Sequence, residues 1–398
     1  MNNVLLKVIR AFRARLFLLL DGILLLFLPF SKSSNRVLII RLDAIGDFVL
    51  WLDAAKTLVS HYHDQGYSVV LLGNKAWAGW AREMGLADEV WEVDVIRFNK
   101  QITYRWQWLR VIRNAGFKIA IQPTYTRIFL AGDALMRASC ACERIGSVGD
   151  ESYVTPWLKS RCNRWFTRLI PATSMPLMEL KRNSEFMRGL GFADFQARLL
   201  TIPEVPDARP NCLPKQPYAV FMTTASWEGR EWPVDNFIEI GHRLEAFGMH
   251  VVVVGGLADY RRASVFIEKF SGKAVDLIGK TTLSELVETL RGAAVVVSNE
   301  TSAVHIGAAV NVPVVCVLGG GHFGRFAPYD IEVVDENRNM PVMVVEEMAC
   351  FGCNWQCIYS RKNTEAVKCI QDISVERIWS AVEMIVIKRN KLMVEELG

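Results

Sequence analysis

Arg36-Val-Leu-Ile-Ile-Arg-Leu-Asp-Ala-Ile-Gly-Asp47 decides the fold. Its first half is a short apolar run biased to β-branched residues, the pattern of a strand buried on both faces of a parallel sheet. Its second half, Leu42 to Asp47, is a loop, and beyond it Phe48, Leu52, Ala55 and Val59 recur at helical spacing. Strand, loop and helix in this order open a doubly wound unit, in which ligands gather outside the carboxyl ends of the strands.

The pattern repeats outward from there. Ser68 to Leu72 reads as a strand closed by Gly73-Asn74. Glu89 to Val95 and Lys118 to Gln122 read as further strands, with a helix over Thr103 to Asn114 ended by Gly116. Between Thr201 and Pro217 stand Pro203, Pro206, Pro210, Pro214 and Pro217. Proline fixes its own φ and lacks an N–H, so no regular element is expected there and the segment is assigned as a linker. A second series follows, with strands at Tyr218 to Met222, Met249 to Val254, Val295 to Ser298 and Val314 to Leu318. Its helices are expected near Val234 to Phe247, Asp259 to Phe270, Ser284 to Arg291 and Ser302 to Val310. Alternation of this kind implies parallel sheets covered on both faces. The expected α/β architecture is two Rossmann-like doubly wound domains facing a central cleft. The boundaries are 1–35 for an N-terminal helix, 36–200 for the first domain, 201–217 for the linker and 218–398 for the second domain. The last helix, about Ser374 to Lys388, is expected to pack back against the first domain.

Composition agrees with two domains, since 398 residues with 51% hydrophobic content exceed one typical core. The net charge of +4, from 46 basic and 42 acidic residues, excludes a dedicated nucleic-acid binder. Nine cysteines are an odd number and no cleavable secretory pattern precedes them, so a reduced, cytoplasmic protein is expected.

The N-terminus interleaves Val4, Leu5, Val8, Ile9 and Phe12 with Lys7, Arg10, Arg13 and Arg15. An apolar stretch from Leu16 to Phe30 follows, interrupted by Asp21 and Gly22. It is short for a membrane span, which takes roughly 20 apolar residues. Two readings are open: an in-plane helix at a membrane surface, or a helix packed on the protein itself.

Four polar loops follow strands and carry the candidate chemistry. The first holds Asp43, Gly46 and Asp47. It lacks the three spaced glycines of a dinucleotide fingerprint. Asp47 could accept a proton from an attacking hydroxyl, or could simply cap the helix. The second, Ala225-Ser-Trp-Glu-Gly-Arg-Glu-Trp-Pro233, offers Ser226 and Arg230 to phosphate oxygens. A surface arginine beside a helix start is the alternative. The third, Ser298-Asn-Glu-Thr-Ser-Ala-Val-His305, places Glu300 before a helix that opens at Thr301 to Ser302. Such a helix start is an anion site, while His305, one turn in, reads alone as a structural histidine. The fourth, Gly319-Gly320-Gly321-His322, is either a close-approach loop or a permissive turn. No Asp-x-Asp pair is present to hold a divalent cation on a nucleotide diphosphate. Cys350-x-x-Cys353-x-x-x-Cys357 with Cys369 could form a structural zinc site, or remain free thiols or a conditional disulfide.

Arg41-Leu-x-x-Ile-Gly-Asp47, Ser226-x-x-x-Arg230-x-Trp232-Pro233, Gly255-Gly256 with Asp259, Gly279-Lys-Thr-Thr-Leu283 and Asn299-Glu-Thr-Ser-x-x-His305 stand in one order along the chain. Together they resemble glycosyltransferase family 9, the ADP-heptose:lipopolysaccharide heptosyltransferases. The cysteine-bearing tail ending Cys369-Ile-Gln-Asp-Ile is similar too. The resemblance implies a GT-B fold and an inverting transfer without metal or cofactor. It assigns Asp47 as the base and Arg230 as the binder of the donor diphosphate. Donor-side residues would be Ser226, Asp259, Thr281, Glu300, Thr301, Ser302, His305 and Gly319 to Gly321, with Asp43 and Gly46 on the acceptor side. Asp259 stands where the family usually has Glu, and Glu300 where it usually has Asp. Gly319 to Gly321 replaces Gly-Pro-Thr. The implied donor is therefore ADP-heptose or another nucleotide-diphosphate sugar. The implied acceptor is a lipopolysaccharide core or related lipid-linked oligosaccharide, at the inner face of the cytoplasmic membrane. The rival readings are a sugar-nucleotide epimerase or hydrolase on the same fold, and a non-catalytic nucleotide-sugar-binding protein.

Overall fold

Val37 to Ile40 are no more than 1% exposed, as a strand covered on both faces must be. This strand, β1 (Arg36–Arg41), is central to a six-stranded sheet in the computed structural model, which describes residues 3–29, 31–152, 154–333, 335–362 and 365–395. Its companions are β2 (Ser68–Asn74), β3 (Glu89–Val93), β4 (Ile119–Gln122), β5 (Glu143–Ser147) and β6 (Arg168–Ile170). The order is β3-β2-β1-β4-β5-β6, with every pairing parallel. A second sheet contains β7 (Tyr218–Met222), β8 (His250–Gly255), β9 (Ala274–Ile278), β10 (Val295–Asn299), β11 (Val314–Val317) and β12 (Val342–Val344). It is also parallel throughout, in the order β12-β11-β10-β7-β8-β9. Both are the Rossmann arrangement, in which the chain leaves a central strand first one way and then the other. β5, β6, β9 and β12 are additional to the strands expected from sequence.

Each sheet is the centre of its own unit, the first made of residues 1–175 and 182–195, the second of 176–181 and 196–398. The proline-rich segment 201–217 therefore belongs to the second unit. It is irregular apart from one turn at Pro206–Ala208. Its backbone is nevertheless tied down: Ile202 N donates to Ala309 O at 3.1 Å, and Arg291 Nη2 donates to the carbonyls of Ile202 and Pro203. The expected strand Glu89 to Val95 stops at Val93 because the Asp94 side chain caps a helix at Val95–Lys100. The C-terminal helix, Val375–Glu395, packs on the helix Val234–Ala246 and on β10 to β12 of its own unit, where the sequence reading returns it to the first domain.

The N-terminal helix runs Asn3–Phe27. The side chains at 3–12 and residue Phe30 lie outside the described residues, and with them the interleaved apolar and basic positions from Val4 to Phe12. Further along, Ala14, Phe17, Asp21 and Leu25 are buried at helical spacing against the first unit. Asp21 accepts from Arg105 Nε at 2.9 and 3.0 Å, Arg105 lying on the helix Ile102–Asn114. Leu16, Leu19, Ile23, Leu26 and Phe27 occupy the opposite, exposed face. Among the described residues no helix is long and apolar enough to cross a membrane.

Asp21 and Arg105 are 3% and 1% exposed, so removing one partner strands a buried charge. Asp21→Ala is expected to cost about 3–5 kcal/mol in urea unfolding, and Asp21→Leu with Arg105→Met to recover much of that loss.

Candidate functional site

In the second unit the chain changes direction between β7 and β10, and the crevice outside these strand ends is where such sheets bind ligands. Ser226 and Arg230 follow β7, and Glu300, Thr301 and Ser302 follow β10. Asp259 follows β8, Thr281 follows β9, and Gly319 to Gly321 follow β11, all on the same sheet edge.

Arg230 links the two central loops. Its Nη2 donates to the Glu300 carbonyl at 2.9 Å and to Glu300 Oε2 at 3.1 Å, while Nη1 donates to Ser226 Oγ at 3.0 Å. The side chains of Arg230 and Glu300 are 16% and 5% exposed. Burial pushes the Glu300 carboxyl above the usual carboxylate range, against the opposing pull of Arg230. Asn299 fixes the loops beneath them. Its Oδ1 accepts from Trp232 N at 2.9 Å and its Nδ2 donates to Thr223 O at 2.8 Å. Trp232 is itself buried, and its Nε1 donates to Ile373 O at 2.8 Å, which ties this loop to the C-terminal tail.

Thr301 caps the helix Ser302–Ala309, its Oγ1 accepting from Ala303 N at 3.3 Å. The first N–H groups of that helix therefore lie beside the Arg230–Glu300 pair, adding positive potential for an anion. His305 is 4% exposed and its Nδ1 is 2.7 Å from Tyr329 Oη. Burial, reinforced by Arg230, drives its pKa down to about 4, so it stays neutral near pH 7. The ring is thus held inside the unit by Tyr329, with Arg230 near enough to act on its charge. Asp259 pairs with Arg262, which also holds Glu231. Thr281 is half-buried immediately before Thr282, the cap of the helix Leu283–Arg291.

The glycine triplet has a reason that the sequence did not show. A Cβ on Gly320 would come within 2.1 Å of Phe351, and one on Gly321 within 2.2 Å of Trp355. The close approach that demands glycine is made by the chain's own aromatic rings. Cys350, Cys353, Cys357 and Cys369 line one pocket against Gly320 and Gly321, all as free thiols. Among the described residues no group of three His, Cys, Asp or Glu side chains is disposed to hold a metal ion.

The first unit has the equivalent crevice between β1 and β4, where a pocket is lined by Asp43, Gln122, Thr124 and Gly132. Asp43 is 2.7 Å from the fully buried Arg41 Nε and accepts from Thr124 Oγ1 at 3.4 Å. Its charge is thus already engaged. Asp47 is half-buried in the first turn of the helix Ile45–Asp64, whose cap is Ala44 with no side-chain hydrogen bond. The capping reading of Asp47 is therefore replaced by a first-turn carboxylate favoured by the helix dipole. Phe48, the next residue, stacks on Trp77 at 3.9 Å and anchors that turn. Tyr329, Phe351 and Trp355 were not singled out from sequence, because they lie in irregular stretches with no periodic signal.

Two such sheets, each with polar loops at its switch point, are the paired doubly wound units of a GT-B-like fold. Residues 179–348 match the model of glycosyltransferase family 9 (heptosyltransferase). No curated protein matches the chain at a significant level. Among solved structures, a family 9 glycosyl transferase from Veillonella parvula DSM 2008 is 15% identical with a TM-score of 0.66, over 90% of this chain and 99% of that one. E. coli ADP-heptose lps heptosyltransferase II is 14% identical with a TM-score of 0.64, over 89% and 99%. E. coli heptosyltransferase WaaC with ADP-2-deoxy-2-fluoro heptose is 17% identical with a TM-score of 0.58, over 88% and 99%.

The depressed His305 sets a pH dependence. Its stabilisation is complete above the unfolded value of 6.5 and is lost as pH falls through about 4, because the unfolded chain takes the proton first. From pH 6.5 to 4 the loss is expected to reach about 3 kcal/mol. Unfolding midpoints across that window should fall less steeply in His305→Gln than in the wild type.

Proposed function

We propose that the protein transfers a sugar, with heptose the first candidate, from a nucleotide-diphosphate donor to a lipopolysaccharide core or related lipid-linked oligosaccharide, with inversion and without a metal. The observation that carries this reading is Arg230, fixed at the β7–β10 switch point beside the Ser302 helix start. A guanidinium and free N–H groups converging there suit a leaving diphosphate. The WaaC structure above was solved with an ADP-sugar analogue, which supports a sugar nucleotide as the donor.

In the proposed single displacement, an acceptor hydroxyl loses its proton to Asp47 and attacks the anomeric carbon from the face opposite the leaving group. The bond to the diphosphate breaks, and its electron pair leaves with the phosphate oxygen. Arg230 and the helix start stabilise that charge. Ser226, Glu300 and Thr301 would contact the donor sugar and phosphates, and Asp259 and Thr281 the nucleoside. Asp43 and Gly46 would shape the acceptor side.

The lipid-linked acceptor calls for a membrane surface, and the exposed face of the N-terminal helix fits one. Leu16, Leu19, Ile23, Leu26 and Phe27 form an apolar stripe, with exposed Arg13 and Arg15 at one end. Such a helix would lie in the interface plane of an anionic membrane, holding the enzyme at its cytoplasmic face.

Nucleotide release tests the chemistry. Purified protein in EDTA is expected to release the nucleoside diphosphate from one donor among ADP-heptose and UDP-, GDP- and dTDP-sugars, only with a lipopolysaccharide-core acceptor. Asp47→Asn should lower kcat by about 10²–10⁴-fold, and full activity in that variant would remove Asp47 as the base. Release without acceptor would point to the epimerase or hydrolase reading. Donor binding without release under any acceptor would point to the binding protein. Flotation tests the surface: the wild type should rise with phosphatidylglycerol vesicles at low salt, and a Leu19→Ser, Leu26→Ser, Phe27→Ser variant should stay behind.

A further inference from the structure

We infer that Trp355 is a positioning residue, which holds the Arg230 guanidinium in the plane and orientation that a donor diphosphate requires. The inference rests on the reading of Arg230 as the diphosphate binder. The Arg230 guanidinium carbon lies 4.8 Å from the centre of the Trp355 ring, a cation–π contact made as the guanidinium is also held by Glu300 and Ser226. These contacts leave donor capacity unspent: Arg230 Nε is buried without a partner, and Nη1 has given one of its hydrogens to Ser226.

The ring is itself held on several sides. Trp227 meets it edge-on at 6.2 Å and His322 at 5.6 Å. Gly321 lies so close beneath it that a side chain there would collide with it. Asn354 N donates to Gly321 O at 2.9 Å, and Asn354 Oδ1 is 2.8 Å from His322 Nε2. Asn354 and Trp355 both adopt left-handed φ angles, 49° and 61°. That conformation is unfavourable for a bulky residue and persists where the surroundings over-determine it. What it achieves is the placement of one aromatic face against one guanidinium. The cysteine-bearing loop and the glycine triplet are then a mount for this ring, which accounts for motifs that the proposed chemistry does not use directly.

The test is a double-mutant cycle on full-length protein with Trp355→Ala, Trp355→Phe, Arg230→Ala and the Arg230→Ala/Trp355→Ala pair. Calorimetry measures binding of ADP, with UDP, GDP and dTDP in parallel, and of the matching nucleoside. Trp355→Ala is expected to weaken the diphosphate by about 5–30-fold, the range of a desolvated cation–π contact, and to leave the nucleoside unchanged. Trp355→Phe should recover most of the loss, and the pair should bind no more weakly than Arg230→Ala alone. Equal weakening of diphosphate and nucleoside, or additive losses in the pair, would overturn the inference while leaving the donor reading in place. Wild-type protein that binds none of the four diphosphates would remove the donor reading and this inference with it.

Discussion

A carboxylate buried at a strand end must be compensated, and in the second unit the compensation is Arg230 on Glu300. Removing either partner would leave an uncompensated charge in a nearly dry place. The pair therefore fixes the β7 and β10 loops relative to each other, with Asn299 repeating the tie one layer below. The same pairing sets the chemistry of the edge. Glu300 offsets part of the positive charge that an anion would feel, so the site is not a bare cation. What it offers is direction: a planar guanidinium immobilised before any ligand arrives costs little reorganisation when charge develops nearby.

The first unit solves the same problem with opposite effect. Arg41 is swallowed entirely at the end of β1 and spends its charge on Asp43. Beside this pair stands Asp47, a half-buried carboxylate in the first turn of a helix. Two sheets of one topology thus bury opposite partners of an ion pair at their switch points, the arginine in one and the carboxylate in the other.

The apolar runs made the central strands legible: Val37 to Ile40, Tyr218 to Met222 and Val295 to Val297. The strands that escaped are short or partly polar. Glu143–Ser147 and Arg168–Ile170 carry charged residues, and Ala274–Ile278 holds Asp276. Each lies at or next to a sheet edge, where one flank is open and the apolar signal fades. The linker was misplaced because proline reports on backbone freedom but not on what the segment packs against. The loop motifs were legible as residue types in family order. Their partners were not: nothing local connects Gly321 to Trp355 or Arg230 to Glu300, and only the fold brings these pairs together.

The N-terminal helix shows the limit of a pattern that supports two readings at once. From Leu16 onward its sequence is apolar almost all round, which fits both a helix packed on protein and one lying on lipid. The structure separates the faces. Asp21, which interrupts the apolar stretch, is the residue that decides which face turns inward, since its charge needs Arg105. With that side fixed, Leu19, Leu26 and Phe27 have no choice but to face outward, at 62%, 83% and 82% exposure. Keeping such side chains in water forfeits roughly 1.5–3 kcal/mol each relative to burial. A buried ion pair thus orients this helix with its most apolar residues pointing away from the protein.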